Sequence, residues 1–160
     1  MLQLSLPQAM ANADTVMAFA ELPASPGEVI AALVTREVER WWGSPETYLM
    51  TGWSADMRVG GSWHVTVRTA DGRRLPAGGE FLEIEMPRRI VQTRRYDCHP
   101  ALGRKETTVA YLFEPIDSGT RLTICHGGFA GFPDVAAEHA DGWARVLGWL
   151  RQYLEQFQEV

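Results

Sequence analysis

Only two cysteines occur, Cys98 and Cys125, with no CxxC pair and no framework of four or six. A disulfide-stapled scaffold is thereby excluded, and the pair suits free thiols in a reducing cytosol, which makes the cytoplasm the expected location. Long apolar runs are missing too. The opening MLQLSLPQAMANAD has no basic start and is interrupted by Pro7, so residues 1–12 read as a flexible leader, neither a secretory signal nor a membrane span. Positive charge is thin. The net charge is −5, and beyond short pairs such as Arg73-Arg74, Arg88-Arg89 and Arg94-Arg95 the basic residues are scattered. Without a basic stripe to follow a phosphate backbone, nucleic acid is not an expected partner.

Motifs for a resident metal or cofactor are equally scarce. Cys98-His99 and Cys125-His126 are adjacent pairs, whose members point apart on a strand, and no spacing matches a zinc ligand set. Gly60-Gly61 and Gly127-Gly128 lack the strand-loop-helix context of a phosphate loop and read as turns. No serine sits in a nucleophile elbow. The expectation is therefore no metal, no cofactor and no assignable catalytic residue.

Aromatic residues are what the chain has in excess: six tryptophans stand among sixteen aromatics in 160 residues. That is more than a single core of this size ordinarily needs. Two of them are adjacent, in VERWWG (Val38 to Gly43). Neighbours on a helix diverge by about 100° and on a strand by about 180°, so Trp41 and Trp42 cannot easily share one buried face. The expectation is that Trp41 packs into a helix and sheet junction while Trp42 faces a cavity.

Thr15 to Leu22 reads as a first strand. In SPGEVIAALV, Ser25 caps a helix, Pro26 suits its first position and Glu28 completes a capping box. Val29, Ile30, Leu33 and Val34 then recur at helical spacing, and a second short helix runs to Trp41-Trp42 before Gly43 and Pro45. From Tyr48 to His126 the pattern alternates and is punctuated by turns: Trp53 to Arg58, SWHVTVRT, Gly79 to Glu85, Ile90 to Tyr96, Thr107 to Glu114 and Thr120 to His126. The end is one amphipathic helix, with His139, Trp143, Val146, Leu147, Leu150, Tyr153, Leu154 and Phe157 on a single face. Gly142 and Gly148 each cost that helix ~1 kcal/mol against alanine, which suggests a close approach or a needed gap. The layout is α+β: a curved antiparallel seven-stranded sheet gripping a long C-terminal helix, with two short helices after the first strand, in one domain over residues 13–160.

The ordered set ASPGEVIAAL, RWWG, ADMRVGGSW, GGEFLEIEMPRRIV, TTVAYLFEP, GTRLTICHGGF and DGWARVLGWLRQYL resembles the AHSA-like branch (heat-shock protein ATPase activator homologue) of the SRPBCC superfamily, also called START or birch-pollen-allergen-like. The resemblance runs from Val16 to Leu154. It implies a helix-grip fold whose cavity, between sheet and last helix, takes lipids, polyketides or other apolar molecules, but it implies no single chemistry.

By period two, Trp63, Val65, Val67, Val109, Tyr111, Phe113, Leu122, Ile124 and His126 should line the concave face. In EFLEIE either parity is open; with Phe81 inside, Glu83 enters the cavity beside it and must find a donor or stay protonated. His126 and His139 are expected to approach each other across the cavity mouth. Trp42, Trp53, Trp143 and Leu147 complete the expected wall, and Phe129 and Phe132, in GGFAGFPD, either gate the cavity or plug a core.

Three functions compete. The first is a carrier or sensor binding a small apolar molecule, such as a lipid, polyketide or aromatic metabolite. The second is a cyclase-like or aromatase-like enzyme using Tyr111, His126 or Glu83 as acid and base, which requires those groups to converge. The third is a chaperone-associated interaction module. A homodimer is compatible with all three.

Overall fold

The computed structural model describes residues 6–158. Strand β1 spans Gln8–Ala11 and β2 spans Thr15–Leu22; α1 (Pro26–Val34) and α2 (Val38–Trp41) follow. The meander then comprises β3 (Tyr48–Ala55), β4 (Ser62–Thr69), β5 (Arg74–Glu85), β6 (Arg89–Tyr96), β7 (Thr107–Ile116) and β8 (Gly119–Gly127), and α3 (Pro133–Glu155) closes the chain. All strands pair antiparallel in one sheet of order β1-β2-β8-β7-β6-β5-β4-β3. The helix-grip architecture is as expected, with eight strands in place of seven.

The additional strand corrects the reading of residues 8–11 as part of a flexible leader. Gln8 to Ala11 pairs with Phe19 to Val16 and forms the sheet edge, because backbone groups alone suffice for a ladder that side chains do not announce. Residues 1–5 lie outside the described residues. No helix among the described residues is long and apolar enough to cross a membrane.

Helix α1 begins as its capping box dictates: the Glu28 N–H donates to Ser25 Oγ at 3.3 Å and the Ser25 N–H to Glu28 Oε1 at 3.1 Å. Along β2, β7 and β8 alternate residues are buried, among them Val16, Leu22, Val109, Tyr111, Leu122 and Ile124. They meet the stripe of α3 that carries Trp143, Val146, Leu147, Leu150 and Leu154. Complete burial of a leucine contributes ~1.5–3 kcal/mol, whereas an exposed pair such as Arg58–Asp56 contributes ~1 kcal/mol or less. This sandwich therefore holds the fold. Helix α3 runs close against β1 and β2, and the cleft described below lies between it and the β3–β6 half of the sheet.

Candidate functional site

The two neighbouring indoles share the interior because the backbone changes direction between them. Trp41 is the last residue of α2, and Trp42 is already extended, at φ −84° and ψ 94°. Their rings stack at 5.1 Å and 29°. Trp41 donates its Nε1–H to the Ala32 carbonyl at 2.8 Å, anchoring α2 to α1. Gly43 then turns the chain into β3; at φ +127° a Cβ would come within 2.0 Å of the Tyr48 carbonyl oxygen, so only glycine fits. Trp42, left facing the sheet, closes on Trp143 of α3 with ring centroids 5.8 Å apart.

A cleft of about 310 Å³ opens between α3 and the β3–β6 side of the sheet. Its apolar walls include Trp42, Tyr48, Met50, Val67, Leu75, Tyr96, Trp143 and Val146, and His99, Glu138, His139 and Arg145 also border it. A smaller hollow of about 30 Å³ lies against it, reaching Trp53, Trp63, Ala77, Gln92 and Tyr111. The two spaces share Trp42, Met50, Val67, Arg94 and Tyr96 as walls. Gly142 borders the cleft with nothing within 4 Å of the place its Cβ would occupy, so the glycine in α3 keeps a gap open.

Arg94 stands at the junction. The alternation of β6 turns it inward, and its guanidinium carbon lies 5.7, 5.5 and 5.3 Å from the ring centroids of Trp42, Trp63 and Trp143. It is 9% exposed, its Nε has no hydrogen-bond partner, and among the described residues no carboxylate forms an ion pair with it. Burial opposes its charge, while Tyr96, Tyr111 and Tyr48 together outweigh that and hold its pKa above the usual arginine value. The Tyr111 hydroxyl, fully buried, has its pKa raised chiefly by burial and stays neutral.

The two histidines do approach, with ring centroids 5.3 Å apart, but each is already engaged. The Trp143 Nε1–H donates to His126 Nδ1 at 3.0 Å, which leaves His126 Nε2 to carry the proton and donate to Thr107 Oγ1 at 2.8 Å. Thr107 in turn donates to the Arg94 carbonyl at 3.1 Å. Burial first, then Arg94 and His139, push the His126 pKa well below its ordinary value, in keeping with this neutral tautomer. His139 donates from Nδ1 to the Val135 carbonyl at 2.9 Å and accepts at Nε2 from the Tyr96 hydroxyl at 3.1 Å. Both rings are structural connectors.

Of the expected wall, Trp42, His139 and Trp143 border the cleft, and Trp53, Trp63 and Tyr111 border the hollow. Phe81, Phe113, His126, Phe129 and Leu147 are instead buried in the core away from both spaces, and Phe132 is half-buried against it. Glu83 is a correction. A bulge between Phe81 and Glu83 shifts the register against β6, so Phe81 points inward, Glu83 is exposed and pairs with Arg89 at 3.0 Å. Tyr111, His126 and Glu83 do not converge, and no acid-base cluster forms from them. Sequence reasoning missed Arg94, Tyr48, Met50 and Tyr96; in the sequence Arg94-Arg95 reads only as a short basic pair, with no sign that β6 turns one arginine inward.

The fold and cleft can be set beside known proteins. The chain overlays a crystal structure of a protein from Rhodobacter sphaeroides with a TM-score of 0.81 at 20% identity, covering 94% of this chain and 99% of the other. A protein from Chromobacterium violaceum gives 0.75 at 26% identity, covering 89% and 98%. The AHSA1 protein from Silicibacter pomeroyi gives 0.72 at 22%, covering 89% and 98%. No curated protein matches the chain significantly. The family model described as activator of Hsp90 ATPase homolog 1-like protein matches residues 23–155, from just before the capped first helix to the end of α3 and so including every wall of the cleft, which makes this chain a member of that AHSA-like branch of the SRPBCC superfamily.

Proposed function

We propose that the protein binds a small apolar molecule in the cleft between β3–β6 and α3, acting as a carrier or sensor. The observation that carries this reading is the cleft of about 310 Å³ with its adjoining hollow, walled by tryptophan, tyrosine, valine and methionine side chains. That size and lining suit a lipid fragment, a polyketide or an aromatic metabolite, since ligand sites are mostly apolar with a few placed polar groups. The family and fold are consistent with such a role. An enzymatic role finds less support, because His126 and His139 have both ring nitrogens engaged and Glu83 is on the surface. The reading also puts the protein in the cytoplasm, where Cys98 and Cys125 would remain free thiols, as they are here.

The test is a panel of apolar metabolites screened by native mass spectrometry and by quenching of intrinsic tryptophan fluorescence. Stoichiometric one-to-one binding supports the reading. A saturating panel with no retained ligand, together with a crystal structure in which side chains fill the cleft, would remove it.

A further inference from the structure

We propose that the ligand is an amphipathic carboxylate whose head group enters the inner hollow and is held by Arg94 and the Trp42 indole N–H. This deepens the proposed function and rests on it.

Three of the four buried side-chain polar atoms without a partner among the described residues belong to residues that border the same small hollow: Trp42 Nε1, Gln92 Oε1 and Arg94 Nε. The residues are 6%, 2% and 9% exposed. Buried polar groups are nearly always satisfied, and leaving a charged donor unmatched is the most costly case, so three in one place point to a missing partner. The indole faces and the Tyr96 and Tyr111 hydroxyls around Arg94 offset part of its charge, but its Nε–H is left without an acceptor.

The chemistry of the partner follows from the donors. Two N–H groups, one of them cationic, call for an anionic oxygen acceptor, and a planar carboxylate suits a guanidinium edge. One positive charge with no carboxylate beside it balances a monoanion, whereas a phosphate dianion would leave a buried excess. The hollow, at about 30 Å³, admits a head group or one or two waters and nothing larger. A carboxylate does not donate to the Gln92 Oε1 acceptor, so the two N–H donors alone define the head group. The apolar body lies in the cleft, past Met50, Val67 and Trp143. At its border Glu138 and Arg145 carry opposite charges, so the selecting charge is the inner one.

The experiment is calorimetric titration at neutral pH with two matched series: 2-naphthoate, 2-naphthalenemethanol and 2-naphthylmethylammonium, and decanoate, decanol and decylammonium. Within each series the body is constant, so differences report the head group. In the wild type the acid is expected to bind roughly ten- to a hundred-fold tighter than the alcohol, with the ammonium weakest. In Arg94→Met the acid loses that advantage. Arg94→Lys, which keeps the charge and loses the Nε–H, retains the order at a reduced ratio and serves if the methionine variant does not fold. Alcohols binding as tightly as acids in the wild type would overturn the carboxylate anchor while leaving the apolar cleft standing. An acid-to-alcohol ratio unchanged in either variant would overturn Arg94 as the anchor. Absence of binding by both complete series would overturn this inference and the apolar-ligand reading together.

Discussion

Trp143 on α3 donates its indole N–H to Nδ1 of His126 on β8 at 3.0 Å, and through Thr107 that histidine is tied to the backbone of Arg94. One hydrogen-bonded chain thus fixes both a wall of the cleft and the strand position of its buried cation.

The chain works only with His126 neutral, because Nδ1 must accept. Burial first, then Arg94 and His139, lower the His126 pKa, and burial likewise lowers that of His139, with Arg94 and His99 adding and the Val135 carbonyl and Glu138 opposing. Since the unfolded histidines bind protons first, stability is fully present above about pH 6.5 and is lost as pH falls below it. Urea unfolding between about pH 7.5 and 5.5 should show stability declining by up to ~1.4 kcal/mol per pH unit for each group. His126→Gln should flatten the slope. A wild type with constant stability over that range would contradict the neutral chain.

Trp42 is both packed and exposed to the cleft, so its two roles should separate by substitution. Trp42→Ala should cost ~3–5 kcal/mol, since it removes a ring stacked on Trp41. Trp42→Phe should cost less and still weaken ligand binding, because it keeps a ring and deletes the unpartnered N–H. Denaturation and titration of the two variants side by side check this.

Gly142 and Gly148 both have open space where a Cβ would stand, but only Gly142 borders the cleft. Gly142→Ala and Gly148→Ala should each raise stability by ~0.5–1 kcal/mol through helix propensity. Gly142→Leu should block ligand entry, while Gly148→Leu should not. Thermal melts and ligand titration measure the two effects separately.

Glu83 should be dispensable. Glu83→Gln removes one surface pair with Arg89 and should change stability by ~1 kcal/mol or less, with ligand affinity unchanged. A large loss of affinity would place Glu83 in the site after all.

The element order was readable because its signals are local. Ser25 to Glu28 carries a capping box, the last helix repeats large apolar residues from Trp143 to Leu154, and turn dipeptides separate the strands. What escaped were features set by pairing. Gln8 to Ala11 is short and mostly exposed, so no alternation marks β1. Strand β5 starts at Arg74, earlier than expected, because Pro76 within it reads as a breaker. The bulge beside Glu83 inverts the facing that period two would assign, and a single sequence does not reveal a bulge. Arg94 escaped for a related reason: Ile90, Gln92, Arg94 and Tyr96 mix apolar and polar groups on the inner face, so β6 has no clean parity. The tryptophan surplus was the legible trace of that site, since three of the six rings surround the arginine.

The most direct test follows the indole N–H resonances of ¹⁵N-labelled protein during titration with the naphthyl and decyl compounds. If the cleft binds an apolar ligand, the Trp42 signal, assigned by its loss in Trp42→Phe, moves to saturation, while that of Trp41, bonded to the Ala32 carbonyl outside the cleft, moves less. A Trp42 resonance that stays fixed at saturating concentrations of every compound would contradict the account.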